Sequence, residues 1–173
     1  MAANLYRVLG KKPNVESKKT QDKNISLVNK NIEKSETDFD SPEKNIISAE
    51  KGFTLESFLH GAEKAFRIIV SSYKENNIES AENLISPKVF QAFKEQTESQ
   101  NNFSPIQITN IKSSIVNIEV VNKLAKIKVM FLSTQKSKLE KKDKTIEVKD
   151  IWTFEKIIGS KDPIWILAEV SSE

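Results

Sequence analysis

Between Thr54 and Asn76 the chain reads TLESFLHGAEKAFRIIVSSYKEN, and this stretch restricts the accessible folds more than any other. Leu55, Phe58, Leu59, Ala62, Ala65, Phe66, Ile69, Val70 and Tyr73 recur at three- and four-residue steps, while His60, Glu63, Lys64, Arg67 and Lys74 fall on the opposite side. That is the pattern of a helix with one buried and one wet face. Thr54 predicts an N-cap, Glu56 lies in the electropositive first turn, and Asn76-Asn77 predict the stop. At about 1.5 Å per residue the helix would run roughly 33 Å, enough to cross a small domain. Propensity differences are below ~1 kcal/mol per residue, whereas each large apolar side chain gives ~1.5 to 3 kcal/mol on burial, so packing against something else must hold it. Gly61 in its middle predicts either a backbone passing close by or a tolerated surface glycine.

The chain has 173 residues, a net charge of +3 and no cysteine, which leaves disulfides, thiolate nucleophiles and Cys-ligated metals out of consideration. No apolar run approaches the length of a membrane span, and nothing resembles a cleavable signal peptide. Arginine, the preferred side chain for bidentate base and phosphate recognition, occurs only at positions 7 and 67, so nucleic acid is not an expected partner. The start, MAANLYRVLGKK, pairs apolar Leu5, Tyr6, Val8 and Leu9 with Arg7, Lys11 and Lys12 and has no acid, like the cytoplasmic flank of a membrane helix. From Pro13 to Asp40 polar residues dominate, with too few apolar ones for a core. Residues 1–40 are therefore expected to form a basic juxtamembrane start and a disordered polar tether, with a flexible reach of roughly 35 Å, and residues 41–173 the folded domain.

Within that domain, Ser41-Pro42-Glu43 predicts a short helix to about Ala49, Ile78 to Ile85 a two-turn helix, and Ser86-Pro87 the start of another carrying Val89, Phe90 and Phe93 on one side. The period then changes. Ile106 to Val121 and Leu124 to Ser133 predict a hairpin around an Asn122-Lys123 turn, with a bend where Asn110, Lys112 and Ser114 break the apolar parity. A charged loop from Gln135 to Lys144 would lead to a third strand, Thr145 to Ile158, and the turn 159–163 to a fourth, Ile164 to Val170. Helices first and antiparallel strands after predict an α+β domain with the long helix lying across the sheet.

Two stretches, GFTLESFLHGAEKAFRIIVSSYKENNIESAENLISPKVFQAF and DIWTFEKIIGSKDPIWIL, resemble the Tim44-like family, the C-terminal domain of the membrane-tethering subunit of the mitochondrial protein-import motor and its bacterial relatives. The resemblance spans most of Ile46 to Val170 and is carried by the long helix together with Trp152, Thr153, Phe154, Glu155, Asp162, Pro163, Trp165 and Leu167. It implies a cone-shaped fold of the nuclear-transport-factor-two type, in which N-terminal helices pack on the concave face of a curved four-stranded antiparallel sheet. It also implies a non-enzymatic, membrane-associated binding domain in inner-membrane protein transport or assembly, with anionic lipid and an inner-membrane or translocase protein as partners. Bacterial relatives begin with one membrane helix, so the expected location is the cytoplasmic face of a bacterial inner membrane, through an N-terminal anchor missing from this sequence (the mitochondrial matrix side in a eukaryote).

Three groups of residues are candidates for function. Phe58, Phe66, Phe90, Phe93, Trp152, Phe154 and Trp165 are expected to converge between helices and sheet, as a hydrophobic pocket for an acyl chain or peptide side chain or as plain core. Lys126, Lys128, Lys136, Lys138, Lys141 and Lys142, relieved only by Glu140 and Asp143, form either an anionic-lipid patch or a solvated surface. Asp150 shares strand parity with Trp152 and Phe154, so it could serve a cone-fold enzyme or a small-ligand site as a desolvated base, or pair with a lysine across the sheet. A ribosome-associated scaffold is a further alternative. His60 falls on the wet face, and no paired carboxylates, phosphate loop or metal-ligand spacing appears, so neither cofactor nor metal is expected.

Overall fold

The structure is a computed structural model, and it describes residues 42–99, 105–139 and 142–171. The expected basic start and tether, residues 1–40, lie outside them. Helices α1 (Pro42–Ala49), α2 (Leu55–Lys74) and α3 (Pro87–Ser99), with a 3-10 helix at Ile78–Leu84, precede strands β1 (Ile106–Val121), β2 (Leu124–Leu139), β3 (Lys142–Ile157) and β4 (Ile166–Ser171). The strands form one antiparallel sheet in the order β1-β2-β3-β4. This is the α+β cone expected from the sequence.

Local chemistry sets the ends of α2. The Ser57 N–H donates to Thr54 Oγ1 at 3.0 Å and the Thr54 N–H to Ser57 Oγ at 3.3 Å, a reciprocal box that satisfies donors the first turn would otherwise leave orphaned. At the other end Asn76 takes a φ of 56°, a left-handed conformation that asparagine tolerates and that stops the helix. The covered face of α2 buries Phe58, Ala62, Ala65, Phe66, Ile69, Val70 and Tyr73 against the inward parity of the sheet, Ala125, Ile127, Val129 and Phe131 of β2 and Trp152 and Phe154 of β3. On the wet face, Arg67 Nη1 donates to the Ile108 carbonyl at 2.8 Å and Ser113 Oγ donates to Glu63 Oε1 at 2.6 Å. These bonds give otherwise open groups of the β1 edge a partner.

The Asn122-Lys123 turn, with φ of 50° and 66°, has both central residues left-handed, as a tight two-residue hairpin requires. Two register shifts bend β1, at Ile108/Asn110 as expected and at Ile115/Asn117. One expectation is overturned. Residues 135–139 and 142–144 are paired strand, not a charged loop: β2 and β3 stay in register from Leu124↔Ile157 to Leu139↔Lys142. Their composition looks like a loop because the inner face here is polar, but Gln135 and Ser133 are buried and bonded to each other, Gln135 Nε2 donating to Ser133 Oγ at 3.0 Å. Alternation survives while hydrophobicity does not. The helical half is tied to β4 by a parallel bridge, Ile85↔Leu167, and by the Ser86 N–H donating to the Leu167 carbonyl at 2.9 Å.

Candidate functional site

Aromatic rings run through the seam between α2 and the sheet, and they divide into two parts. In the inner part Phe66 stacks on Phe131 at 4.6 Å and lies 4.7 Å from Trp152, while Trp152 and Phe131 approach edge-on at 5.6 Å. All three are fully buried, so this part is packed solid. In the outer part Phe58 meets Trp165 edge-on at 4.9 Å and Phe154 at 5.9 Å, and Phe53 lies 5.8 Å from Trp165. Here packing is incomplete. A cleft of about 420 Å³ opens between the α1–α2 loop, the first half of α2 and the β3–β4 loop, lined by Phe53, Phe58, Gly61, Ala62, Phe154 and Trp165 among others.

Of the seven aromatic candidates, Phe58, Phe154 and Trp165 therefore line the cleft. Phe66, Phe93 and Trp152 are enclosed in the core, and Phe90 is half-buried against it. Phe53 completes the cleft at its mouth. Gly61 does not mark a passing backbone: a Cβ there would meet nothing within 4 Å. Its bare Cα widens the cleft.

The same cleft holds a feature that aromatic counting misses. Lys156 continues the inward parity of Asp150, Trp152 and Phe154, and its side chain is only 3 % exposed. Its Nζ lies 2.6 Å from Glu50 Oε1, which also accepts the Gly159 N–H at 2.6 Å. The Lys156 ammonium, with help from that N–H, holds the Glu50 carboxyl below its usual pKa against the opposing effect of burial. Beyond Glu50, Nζ has no hydrogen-bond acceptor among the described residues. A buried cation with matched charge and spare donors thus borders an apolar space. Strand parity was the signal that could have found it.

Asp150 lies elsewhere on the inner face. It is 1 % exposed and its Oδ1 has no hydrogen-bond partner among the described residues. Burial raises its pKa to about 6, with the nearby Lys74 charge pulling the other way. Neither Asp150 nor Trp152 lines the cleft, so the acid is sealed rather than presented. The folded chain holds this proton more tightly than the unfolded one. The stability Asp150 allows is therefore full below a pH of about 4, falls between about 4 and 6, and stays lower above. At about 1.4 kcal/mol per pKa unit, the rise from 3.8 to about 6 means that Asp150→Asn is expected to stabilise the domain by about 3 kcal/mol at neutral pH. It should also flatten the slope between pH 4 and 6 relative to the unaltered chain, as read by urea unfolding. Equal slopes would show that burial does not raise the pKa of Asp150.

The lysines of β2 lie toward both ends of the strand. Lys126 is exposed between Glu119 and Glu155 in the register, Lys128 is half-buried between Asn117 and Thr153, and Lys136 is exposed between Gln107 and Thr145. Lys126 and Lys136 share a face of β2 but stand about 30 Å apart at the rise of a strand, far beyond a Debye length. Lys138 and Lys142 belong to the paired ends of β2 and β3, and Lys141 lies outside the described residues. His60 is exposed. Among the described residues no three His, Cys, Asp or Glu group together as a metal site, and no helix is long and apolar enough to cross a membrane.

The sequence matches the Tim44-like domain family over residues 40–172. The chain belongs to the Tim44-like family. Tim44-like domains are generally non-enzymatic and associate peripherally with membranes, and membership points to a membrane-associated role related to protein transport. No curated protein sequence matches the chain. Among solved structures, the intermembrane space region of the chloroplast protein ARC6 is similar, with a TM-score of 0.50 and 12 % identity, covering 69 % of this chain and 95 % of that one. At that identity the likeness concerns the fold alone.

Proposed function

We propose that this Tim44-like domain is a non-enzymatic docking module at the cytoplasmic face of a bacterial inner membrane, serving protein transport or assembly. In this reading its cleft grips an apolar segment of a membrane-protein or translocase partner. The observation that carries it is the cleft itself, walled by aromatic rings and bordered by one charge-matched ion pair, with the buried acid of the domain sealed away from it.

The ion pair narrows what the cleft accepts. A free carboxylate entering beside Lys156 would face Glu50, which already neutralises the ammonium. A neutral carbonyl, as on a peptide backbone, can take the spare ammonium protons without disturbing that balance. In the same reading basic residues meet anionic lipid, and the lysines of β2 and of the β2–β3 connection, Lys126, Lys128, Lys136, Lys138, Lys141 and Lys142, are one candidate surface for that contact. Each basic residue near an anionic surface contributes about 1 kcal/mol.

Gly61 gives a direct test, because leucine at that position grows into open space. Gly61→Leu in the full chain is expected to preserve thermal stability, or to raise it by about 0.5 to 1 kcal/mol through helix propensity. It should also abolish recovery of whichever inner-membrane protein the unaltered chain retains from solubilised membranes. Equal recovery of that protein by Gly61→Leu would rule out the cleft as the docking site.

A further inference from the structure

The two most exposed large apolar side chains among the described residues, Val121 at 63 % and Ile157 at 60 %, stand at one end of the sheet, and Ile164, 40 % exposed, lies in the β3–β4 loop at the same end. Val121, Leu124 and Ile157 stand opposite one another across β1, β2 and β3. The Ile158 N–H donates to the Lys123 carbonyl at 2.9 Å, pinning the β3–β4 loop to the β1–β2 turn, and the Gly159 N–H bond to Glu50 ties in the end of α1. Ile164 also lines the cleft. Three connections are thus fastened into one rim.

The tips of this rim are mainly positive. Lys51, Lys123 and Lys161 are exposed. Of the acids there, Glu50 is paired with Lys156, while Asp162 keeps its charge and accepts the Ile164 N–H through Oδ1 at 2.9 Å; one row in along the strands, Lys126 stands between Glu119 and Glu155. We propose that this rim inserts shallowly into an anionic bilayer, Val121, Ile157 and Ile164 entering the headgroup boundary and Lys51, Lys123 and Lys161 meeting its phosphates. Apolar tips among basic residues are the chemistry an interfacial site requires, and the same positive excess disfavours a second copy of the chain as the occupant. The proposal rests on the membrane-apposed reading above and deepens it: seated this way, the cleft opens at the lipid interface, where an apolar segment emerging from the bilayer could enter directly. It also separates the contact from Lys136 and Lys138, which lie toward the opposite end of β2.

The test uses the full chain and vesicles of phosphatidylcholine with phosphatidylglycerol, in three forms: unaltered, Val121→Asp with Ile157→Asp, and Lys136→Glu with Lys138→Glu. Both rim positions are more than half exposed, so the first pair should keep its thermal midpoint. The rim variant is expected to lose roughly ten-fold or more in vesicle partitioning, the strand-end variant much less. In the bound unaltered chain, brominated lipid should quench Trp165, half-buried at the cleft, whereas Trp152 is sealed in the core. Unchanged partitioning of a folded rim variant, or absence of quenching, would overturn the proposal while leaving the membrane reading standing. A rim variant that changes oligomeric state instead of partitioning would identify a second copy as the occupant and overturn it as well. Failure of the unaltered chain to bind any vesicle would overturn both.

Discussion

Glu50→Gln is expected to destabilise this domain by about 3 to 5 kcal/mol at pH 7, although it changes only one partly exposed side chain, because it strands a buried cation. Lys156 has 3 % of its side chain in contact with solvent, so the ammonium can replace neither Glu50's charge nor its contact with water. Lys156→Met alone leaves Glu50 with the Gly159 N–H and 20 % exposure, so its effect should be smaller. The double variant should recover most of what Glu50→Gln loses, since a buried pair is replaceable by well-packed groups while a broken one is not. Denaturant unfolding of the four forms at pH 7 measures this. A Glu50→Gln loss below about 1 kcal/mol would show that Lys156 is hydrated or finds another acceptor.

Phe66→Ala should have a comparable effect by another route. Phe66 is fully buried, stacked on Phe131 and tilted against Trp152. Removing the ring deletes contacts on both sides in a region with no outlet, at a cost of about 3 to 5 kcal/mol. Against a typical total of about 5 to 15 kcal/mol, that leaves the fold near its limit. Phe58→Ala, one ring further out, opens its void into the cleft, where water can enter, and should cost about 2 kcal/mol less than a sealed cavity of the same size. Urea midpoints for the two variants give the comparison. Equal losses would mean that the inner and outer rings are not the separate regions described above.

Features that depend on a few neighbouring residues were legible from the chain alone. Thr54 with Ser57 caps α2, Asn76 ends it in a left-handed conformation, and Asn122-Lys123 turns β1 into β2, because each effect is settled within one turn of backbone. Period did the rest at short range. The 3.6-residue spacing identified the buried face of α2, and strand parity placed Asp150 beside Trp152 and Phe154 on the inner face. Lys156 shares that parity but was not singled out, because a lysine is rarely buried without a partner, and its partner comes from the end of α1. Residues 135–139 and 142–144 were misjudged for a related reason: a polar inner face looks like a loop until its cross-strand partners are known.

What the sequence by itself determined was the kind of element at each position and which way its side chains face, since helical and extended periods repeat over a few residues. Only the tertiary structure decided where packing closes and where it stops. Phe66 and Phe58 are equivalent in the helical pattern, but one meets Phe131 and Trp152 and the other faces the cleft widened by Gly61. Glu50 meets Lys156 and Gly159, the latter 109 positions away, through a contact no local pattern encodes. Close packing and charge matching are properties of surfaces brought together from distant parts of the chain, and they become definite only when those surfaces meet.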